Sequence, residues 1–351
     1  MERVKTFLKR KNIQISARRY GIDALGAMAQ GLFCSLLIGT ILDTLGAQLG
    51  IEALVTIGGY ASAMSGPAMA IAIGYALQAR PLVLFSLATV GYAANALGST
   101  TLDGGKGAGG PLAVLFIAII AAEIGKAVSK ETKIDILVTP LATILAGVGL
   151  SAWWAPAIGT AATSVGSIIM WATDLQPFLM GIVVSVVIGI ALTLPISSAA
   201  ICAALGLTGL AGGAAVAGCC AQMIGFAVMS FKENKWGGFF AQGLGTSMLQ
   251  MGNIVRNPKI WIPPTLASMV TGPLSTMVFH LENIPAGSGM GTCGLVGPIG
   301  IYTAMQGSGN SMMWPGILLI CFVLPAVLTL FFGALCRKAG WIKEGDLKLD
   351  L

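Results

Sequence analysis

Charged residues are scarce in this sequence. Asp, Glu, Lys and Arg make up only 10% of its 351 residues, whereas about a quarter is usual in soluble domains. No stretch between the termini is polar enough for a soluble domain of useful size, so an ordinary soluble protein is excluded. Seven of the 20 Lys and Arg residues lie at positions 3–19. The net charge of +6 is therefore better explained as a membrane topology signal than as a nucleic-acid-binding surface, and no nucleic-acid partner is expected.

Side chains that carry chemistry are also few. His280 is the single histidine, and the seven cysteines lack the spacing of a metal site. These absences argue against a histidine-based metal centre and against a Ser/His/Asp catalytic triad, and no metal or cofactor is expected. The motif GSGMGTCG at 287–294 lacks the preceding strand and the Lys-Ser/Thr ending of a phosphate-binding loop.

Apolar residues and glycine are abundant instead. Hydrophobic residues account for 56% of the chain, with 48 glycines, and the mean hydropathy is +0.85. Several apolar runs approach the roughly 20 residues that a helix needs to cross a bilayer. We predict an all-α, polytopic transmembrane helix bundle of about eight to ten spans, with the lipid bilayer as its environment.

Basic residues predict the orientation of this bundle. Residues 1–19 form a basic, amphipathic segment suited to the anionic inner leaflet, and the basic 337–351 tail belongs on the same, cytoplasmic side. An even number of crossings follows. The expected spans are 21–42, 52–77, 81–97, 111–128, 134–150, 178–194, 260–279 and 315–335, with 156–173 along the interface and 195–231 ambiguous.

Two stretches in the second half do not resemble membrane-crossing helices. Residues 236–256 are semipolar, and residues 285–300 contain six glycines in sixteen positions. Non-helical backbone survives at membrane depth only where protein buries it or water reaches it, and broken helices build the solute sites of many transporters. We therefore predict two re-entrant hairpins around a solute cavity. A glycine-rich outer loop and close helix packing are the alternatives for 285–300.

Neutral polar residues of these stretches are the candidate solute ligands. They offer donors and acceptors suited to a polyhydroxylated molecule, with Arg256 available for an anion, although hydrogen bonds between helices are an equally good explanation. The candidates are Thr246, Ser247, Gln250 and Asn253 in the first stretch, Gly291 and Thr292 in the second, and Ser197, Ser198 and Gln222 as weaker members.

His280 and Glu282 lie where a predicted span meets the glycine-rich stretch. An imidazole and a carboxylate at that point are able to hydrogen-bond sugar hydroxyls or to titrate with a bound solute. Capping of the preceding helix at the interface is the simpler explanation.

The motifs NPKIWIPPTLASMVTGPL at 257–274 and LPISSAAI at 194–201 resemble the enzyme IIC membrane component of the sugar phosphotransferase system. The likeness is to the glucose superfamily and to an IIC-like branch that includes membrane regulators. The resemblance implies a homodimer in a bacterial plasma membrane, with 20–175 as scaffold and dimerisation half and 176–336 as solute-transport half. It also implies a sugar-like solute, alternating access and cytoplasmic phosphotransfer proteins as partners.

One departure from that family concerns the chemistry. The family's hairpin carries a glutamate that contacts the sugar, but the corresponding segment here, LGTSMLQ at 244–250, has no carboxylate. This argues against phosphorylation of the solute by the family's mechanism. Two other functions stay open: a membrane-embedded ligand sensor or regulator, and an ion-coupled anion transporter that uses Arg256, His280 and Glu282.

Overall fold

The computed structural model describes residues 2–349. The contacts divide the chain into two compact units, the first made of the residues up to Gly39 with Gly59–Ala162, and the second of Thr40–Gly58 with the residues from Thr163 onward. Helices bounded by glycine, proline and polar turns account for most of both units.

The first seven helices of the chain supply the first unit. They are α1 (Glu2–Arg10), α2 (Arg19–Leu49), α3 (Glu52–Ala63), α4 (Ser65–Ala76), α5 (Pro81–Gly98), α6 (Gly110–Val128) and α7 (Asp135–Thr163). Parts of α2 and α3 and the last residue of α7 belong to the second unit.

Glycines set the packing distance in the first unit. A Cβ atom on Gly91 of α5 would lie only 2.3 Å from the carbonyl oxygen of Gly66 in α4. The two backbones therefore pack at a distance that only glycine allows, which favours helix association in a bilayer, where the hydrophobic effect contributes little.

Buried charged side chains connect several segments of the first unit. Lys126 near the end of α6 pairs with Glu123 at 2.9 Å and donates to the carbonyl oxygens of Asn12 and Leu77 at 2.8 and 3.0 Å. Arg19 at the start of α2 also donates to Leu77 O, at 2.6 Å. These bonds satisfy the ammonium group, which would otherwise be costly to bury.

The second unit contains the remaining helices. They are α8 (Val165–Thr173), α9 (Pro177–Thr193), α10 (Ser198–Ala204), α11 (Gly209–Met229), α12 (Phe231–Phe240), α13 (Met251–Arg256), α14 (Ile262–Pro273), α15 (Pro285–Ser288), α16 (Val296–Met305) and α17 (Met313–Lys338).

Helix α11 is the centre of the second unit. Of its 18-residue apolar window, 94% is buried within the protein. A Cβ on its Gly218 would lie 1.8 Å from Ser185 O in α9, and one on its Gly213 would lie 1.9 Å from Leu281 O. Glycine thus lets the neighbouring backbones approach α11 on more than one side.

The predicted polytopic helical bundle is confirmed. Within residues 2–349, six helices are long and apolar enough to cross a membrane, or seven if α3 and α4 count as one span. Pro177–Thr193 and Cys293–Met305 are apolar but shorter. The total of eight to ten spans stays a prediction.

Two predicted spans differ in detail from the structure. The predicted span 52–77 is a pair of helices bent by 47°, with Met64 outside helical geometry between them. The predicted break before residue 156 does not occur, because α7 continues to Thr163 with Pro140 and Pro156 inside it. A proline removes one backbone hydrogen bond, and membrane helices tolerate that loss better than soluble ones.

Candidate functional site

The first semipolar stretch contains a helix break at Thr246. Helix α12 passes into a short π-helical segment, Ala241–Gly245, and Thr246 then adopts an extended backbone with φ −157° and ψ 144°. The Thr246 hydroxyl accepts a hydrogen bond from Met248 N at 3.1 Å, which caps the following turn. The chain therefore begins a new helical segment, Ser247–Gln250 followed by α13, immediately after this break.

The glycine-rich stretch contains a second break. The single turn α15 ends at Ser288, and Gly291, Gly294 and Leu295 all have positive φ before α16 begins. A Cβ on Gly291 would lie 2.8 Å from the Cβ of Cys219, so this position requires glycine for space as well as for conformation.

The two breaks meet in the interior of the second unit. The Thr292 hydroxyl donates to the carbonyl oxygen of Gly243, which joins the second break to the first. The Ser198 hydroxyl, at the start of α10, donates to Gly289 O at 2.7 Å. Side chains inside the protein therefore hold the second break, and Thr292 joins it to the π-helical segment that precedes the first break.

A group of neutral side chains lies beside the first break, and we call it the glutamine cluster. Gln222 of α11 accepts from Trp261 Nε1 at 2.9 Å and donates to Thr265 Oγ1 at 3.3 Å. Thr193 lies 3.4 Å from Gln222 Oε1 and 2.8 Å from the Ser247 hydroxyl. Gln222, Thr193 and Ser247 have no exposed surface. The cluster therefore joins the first break to α9, α11 and α14.

Three amide side chains form a second group, the amide ladder. Gln242 Nε2 donates to Ser230 Oγ at 2.8 Å, and its Oε1 accepts from Gln250 Nε2 at 2.9 Å. Asn253 Nδ2 donates to Gln250 Oε1 at 2.8 Å. All three amides are buried, and they run along the two sides of the break at Thr246.

The predicted charged residues differ from these groups in burial. His280, Glu282 and Arg256 are exposed, and His280 has an unusual φ of +46° in the loop before α15. Ser197 accepts from Ala200 N at 3.2 Å and so caps α10. The structure brings together Ser247 and Gln222 in one group, Gln250 and Asn253 in another, and Thr292 with the first break.

Several members of these groups carry no clear signal in the sequence. Gln242, Thr193, Trp261 and Thr265 were not predicted. Gln242 had a signal, since it precedes Gln250 within the same semipolar stretch. Thr193 had no such signal. It lies at the end of a strongly apolar helix, where a threonine hydroxyl commonly bonds to a backbone carbonyl of its own helix and does not mark a site.

These groups can bind hydroxyls but have no means to move a proton. Amides and hydroxyls act as donors and acceptors without titrating near neutral pH, and general acid–base catalysis needs a group that does. The arrangement therefore suits recognition of a neutral polar molecule.

The chain also matches a known protein family. A family model described as "Phosphotransferase system, EIIC" matches residues 22–349. The chain belongs to this family. The predicted resemblance to the membrane component of the phosphotransferase system is confirmed, and this EIIC chain is a membrane component of a sugar-transport system. No curated protein and no solved structure matches the chain significantly.

Proposed function

We propose that this EIIC chain binds a small polar, sugar-like solute where the two breaks meet, and carries it across the membrane by alternating access. The observation that carries the proposal is the bond from Thr292 to Gly243 O, which joins the turn at the second break to the π-helical segment just before the first break, inside the second unit. Transporters build solute sites from broken helices of this kind.

The proposed ligands are the neutral side chains around the breaks. Ser247 and Gln222 of the glutamine cluster and Gln250 and Asn253 of the amide ladder supply donors and acceptors. Thr246, Thr292 and Gly291 shape the breaks themselves. Ser197, His280 and Glu282 stay outer candidates, since Ser197 caps α10 and the other two are exposed.

The division of labour between the halves is also proposed. Both breaks belong to the second compact unit, which supports 176–336 as the solute-transport half. Residues 20–175 then serve as scaffold and homodimer interface, in a bacterial plasma membrane with both termini in the cytoplasm. Cytoplasmic phosphotransfer proteins are the proposed partners, as the family assignment implies.

Phosphorylation of the solute is not included in the proposal. Segment 244–250 has no carboxylate, and the side chains of the glutamine cluster and the amide ladder are neutral. A neutral site is sufficient for binding and translocation, whereas transfer to a hydroxyl requires a base.

Uptake into proteoliposomes tests the proposal. Labelled hexoses and hexitols are presented one at a time, with and without the cytoplasmic phosphotransfer proteins. Uptake of at least one of them without those proteins is expected. If labelled product forms only when the phosphotransfer proteins are present, and if that product is phosphorylated, the argument against phosphorylation is wrong. Binding of a labelled sugar without uptake would favour a sensor.

A matched pair of variants links the flux to the breaks. Thr292→Val keeps the shape of the side chain but removes its bond to Gly243 O, so uptake should fall by about tenfold, the equivalent of one buried hydrogen bond. Thr303→Val is the control, because Thr303 is exposed on α16 and bonds only to Ile299 O of its own helix. An equal effect of both variants would count against a site at the breaks.

A further inference from the structure

The C-terminal tail, residues 339–349, turns back after α17. Gly340 has a φ of +70°, and Trp341 N donates to Cys336 O at 2.9 Å, which closes the end of the helix. The Asp346 carboxylate accepts from Lys343 N and from Asn257 Nδ2, both at 2.8 Å. The tail is thereby directed to the side chains that flank the first break.

The tail contacts that region through its backbone. Leu347 O accepts from Gln250 Nε2 at 3.0 Å and from Asn234 Nδ2 at 2.8 Å. Lys348 O accepts from Asn253 Nδ2 at 2.9 Å.

Backbone amides of the tail are bound as well. Leu347 N donates to Glu233 Oε2 at 2.9 Å and Gly345 N to Glu233 Oε1 at 3.3 Å. Leu349 N donates to Asn234 Oδ1 at 2.8 Å. Donors and acceptors of the tail backbone are thus both matched by side chains.

The tail also buries apolar side chains. Leu347 has no exposed surface and Ile342 is 3% exposed, whereas Lys348 is exposed. Burial of a leucine side chain contributes about as much as the strongest of these hydrogen bonds. Recognition of the tail therefore depends on its backbone, on Leu347 and on the Asp346 carboxylate, and little on the charge of Lys348.

The tail saturates the two amides that were predicted to bind solute. An amide NH₂ group has two hydrogens to donate. Gln250 uses them on Gln242 Oε1 and Leu347 O, and Asn253 uses them on Gln250 Oε1 and Lys348 O. A solute can take a donor from either amide only if one of these bonds breaks.

We propose that Glu233, Asn234, Gln250 and Asn253 form a peptide-binding site that the chain's own tail fills, and that the tail must leave before Gln250 and Asn253 can bind solute. The release step rests on the proposed function, whereas the peptide-binding site does not. The tail is then an internal competitor that holds the carrier in a resting state.

Peptide binding tests the site without any transport assay. The chain is ended after Glu344, purified in detergent and titrated with a fluorescent peptide of residues 345–351, GDLKLDL. Saturable binding is expected. Leu347→Asn in the peptide should weaken it by about tenfold or more, and Lys348→Asn should change it by less than about twofold. No saturable binding, or equal loss with both substitutions, would overturn the proposal.

A point variant of the full chain avoids reliance on a truncated protein. Glu233→Ala removes the acceptor for two tail amides, so the Gly345 and Leu347 amides should exchange hydrogen for deuterium at least about tenfold faster. Lys232→Ala is the matched control, an exposed neighbour on the same helix. Equal exchange in both variants would overturn the docking.

Uptake of the same labelled hexoses and hexitols tests the release step. The truncated chain and Glu233→Ala should transport several-fold faster than the full chain, and added GDLKLDL peptide should slow the truncated chain again. Equal rates would overturn the release step. If no form transports any probe while the peptide binds as expected, the proposed function fails and the peptide-binding site stands.

Discussion

Gln222 lies in the middle of α11 with no exposed surface, and its side chain links α11 to Trp261 and Thr265. An apolar residue of similar length in its place would fill the volume but leave Trp261 Nε1 without this acceptor. Buried donors that lose their acceptor carry the full cost of their lost hydration. The cluster is therefore a structural element of the second unit as well as a candidate site.

Gln222→Leu should lower the free energy of unfolding by about 1–3 kcal/mol. Gln306→Leu is the control, because Gln306 is exposed at the end of α16, and it should change stability by less than about 0.5 kcal/mol. The measurement is denaturation in detergent, followed by tryptophan fluorescence. Equal losses would show that the hydrogen bonds of Gln222 contribute nothing.

Glycine has different roles at different positions of this chain. At Gly218 a Cβ would lie 1.8 Å from the carbonyl oxygen of Ser185, whereas at Gly149 nothing lies within 4 Å. The first glycine allows two backbones to approach, and the second has no packing role.

Gly218→Ala should therefore lower the free energy of unfolding by about 1–3 kcal/mol, because α9 and α11 must move apart. Gly149→Ala should be neutral or stabilising by up to about 1 kcal/mol, since alanine favours the helix. Thermal unfolding of both variants in the same detergent compares them. A stable Gly218→Ala protein would contradict the close approach of the two helices.

Polarity in the sequence predicted part of the candidate site. The semipolar stretch marked Ser247, Gln250 and Asn253, which the structure buries in polar networks. His280 and Glu282 were singled out for their charge, but the structure leaves them exposed. Which polar residues converge depends on helix packing over long sequence distances, and sequence patterns carry no information about that.

Helix α1 is held to the first unit by charged groups at its end. Arg10 pairs with Glu131 at 2.7 Å, and Lys11 contacts both Glu131 and the carbonyl oxygen of Ser129. The hydrogen bond from Lys11 is the main cause that lowers the pKa of Glu131 below its usual 4.5, with the charge of Arg10 also contributing. The carboxylate is thus stabilised by the docked helix.

The sign of this shift gives a pH prediction. Because the pKa of Glu131 is lower with α1 docked, its contribution is complete above about pH 4.5 and is lost as the pH falls through the lowered pKa. A spin label at Lys9→Cys, in a chain with Cys34→Ser, should therefore become mobile only in acid.

Glu131→Gln is the matched variant for α1. It removes the titrating group, so the mobility of the label should no longer change in this pH range. A transition that persists in Glu131→Gln would assign the acid response to another group.

The glycine-rich and semipolar stretches predicted the two helix breaks, and the structure has a break in each. The bend at Met64 also had a signal in the sequence, because Ser65, Gly66 and Pro67 follow it directly, and a Gly-Pro pair favours a break in a helix. The docking of the tail escaped prediction. Lys343, Glu344 and Lys348 are typical of an ordinary solvated terminus. The tail binds largely through backbone donors and acceptors, which almost every residue has, so the sequence gives no sign of these contacts.

At the scale of the whole molecule, the placement of charge predicts that both termini face the cytoplasm. Seven basic residues lie at positions 3–19, and Arg337, Lys338, Lys343 and Lys348 follow the last long apolar run. Translocation of such clusters is unfavourable, so we expect both on the inner side. If α3 and α4 together form one crossing, the same reasoning predicts that the polar loop at 98–110, between α5 and α6, lies outside.

Single-cysteine labelling tests this orientation in intact cells. With Cys34→Ser as background, Lys9→Cys and Lys343→Cys should react with an impermeant maleimide only after the membrane is opened. Asp103→Cys, in the outer loop, should react before it. Because each crossing reverses the side, labelling of Lys9→Cys and Lys343→Cys from opposite sides would mean an odd number of spans. If Lys343→Cys is the one that reacts in intact cells, the tail lies on the outer surface, and its competition with solute would act from that side.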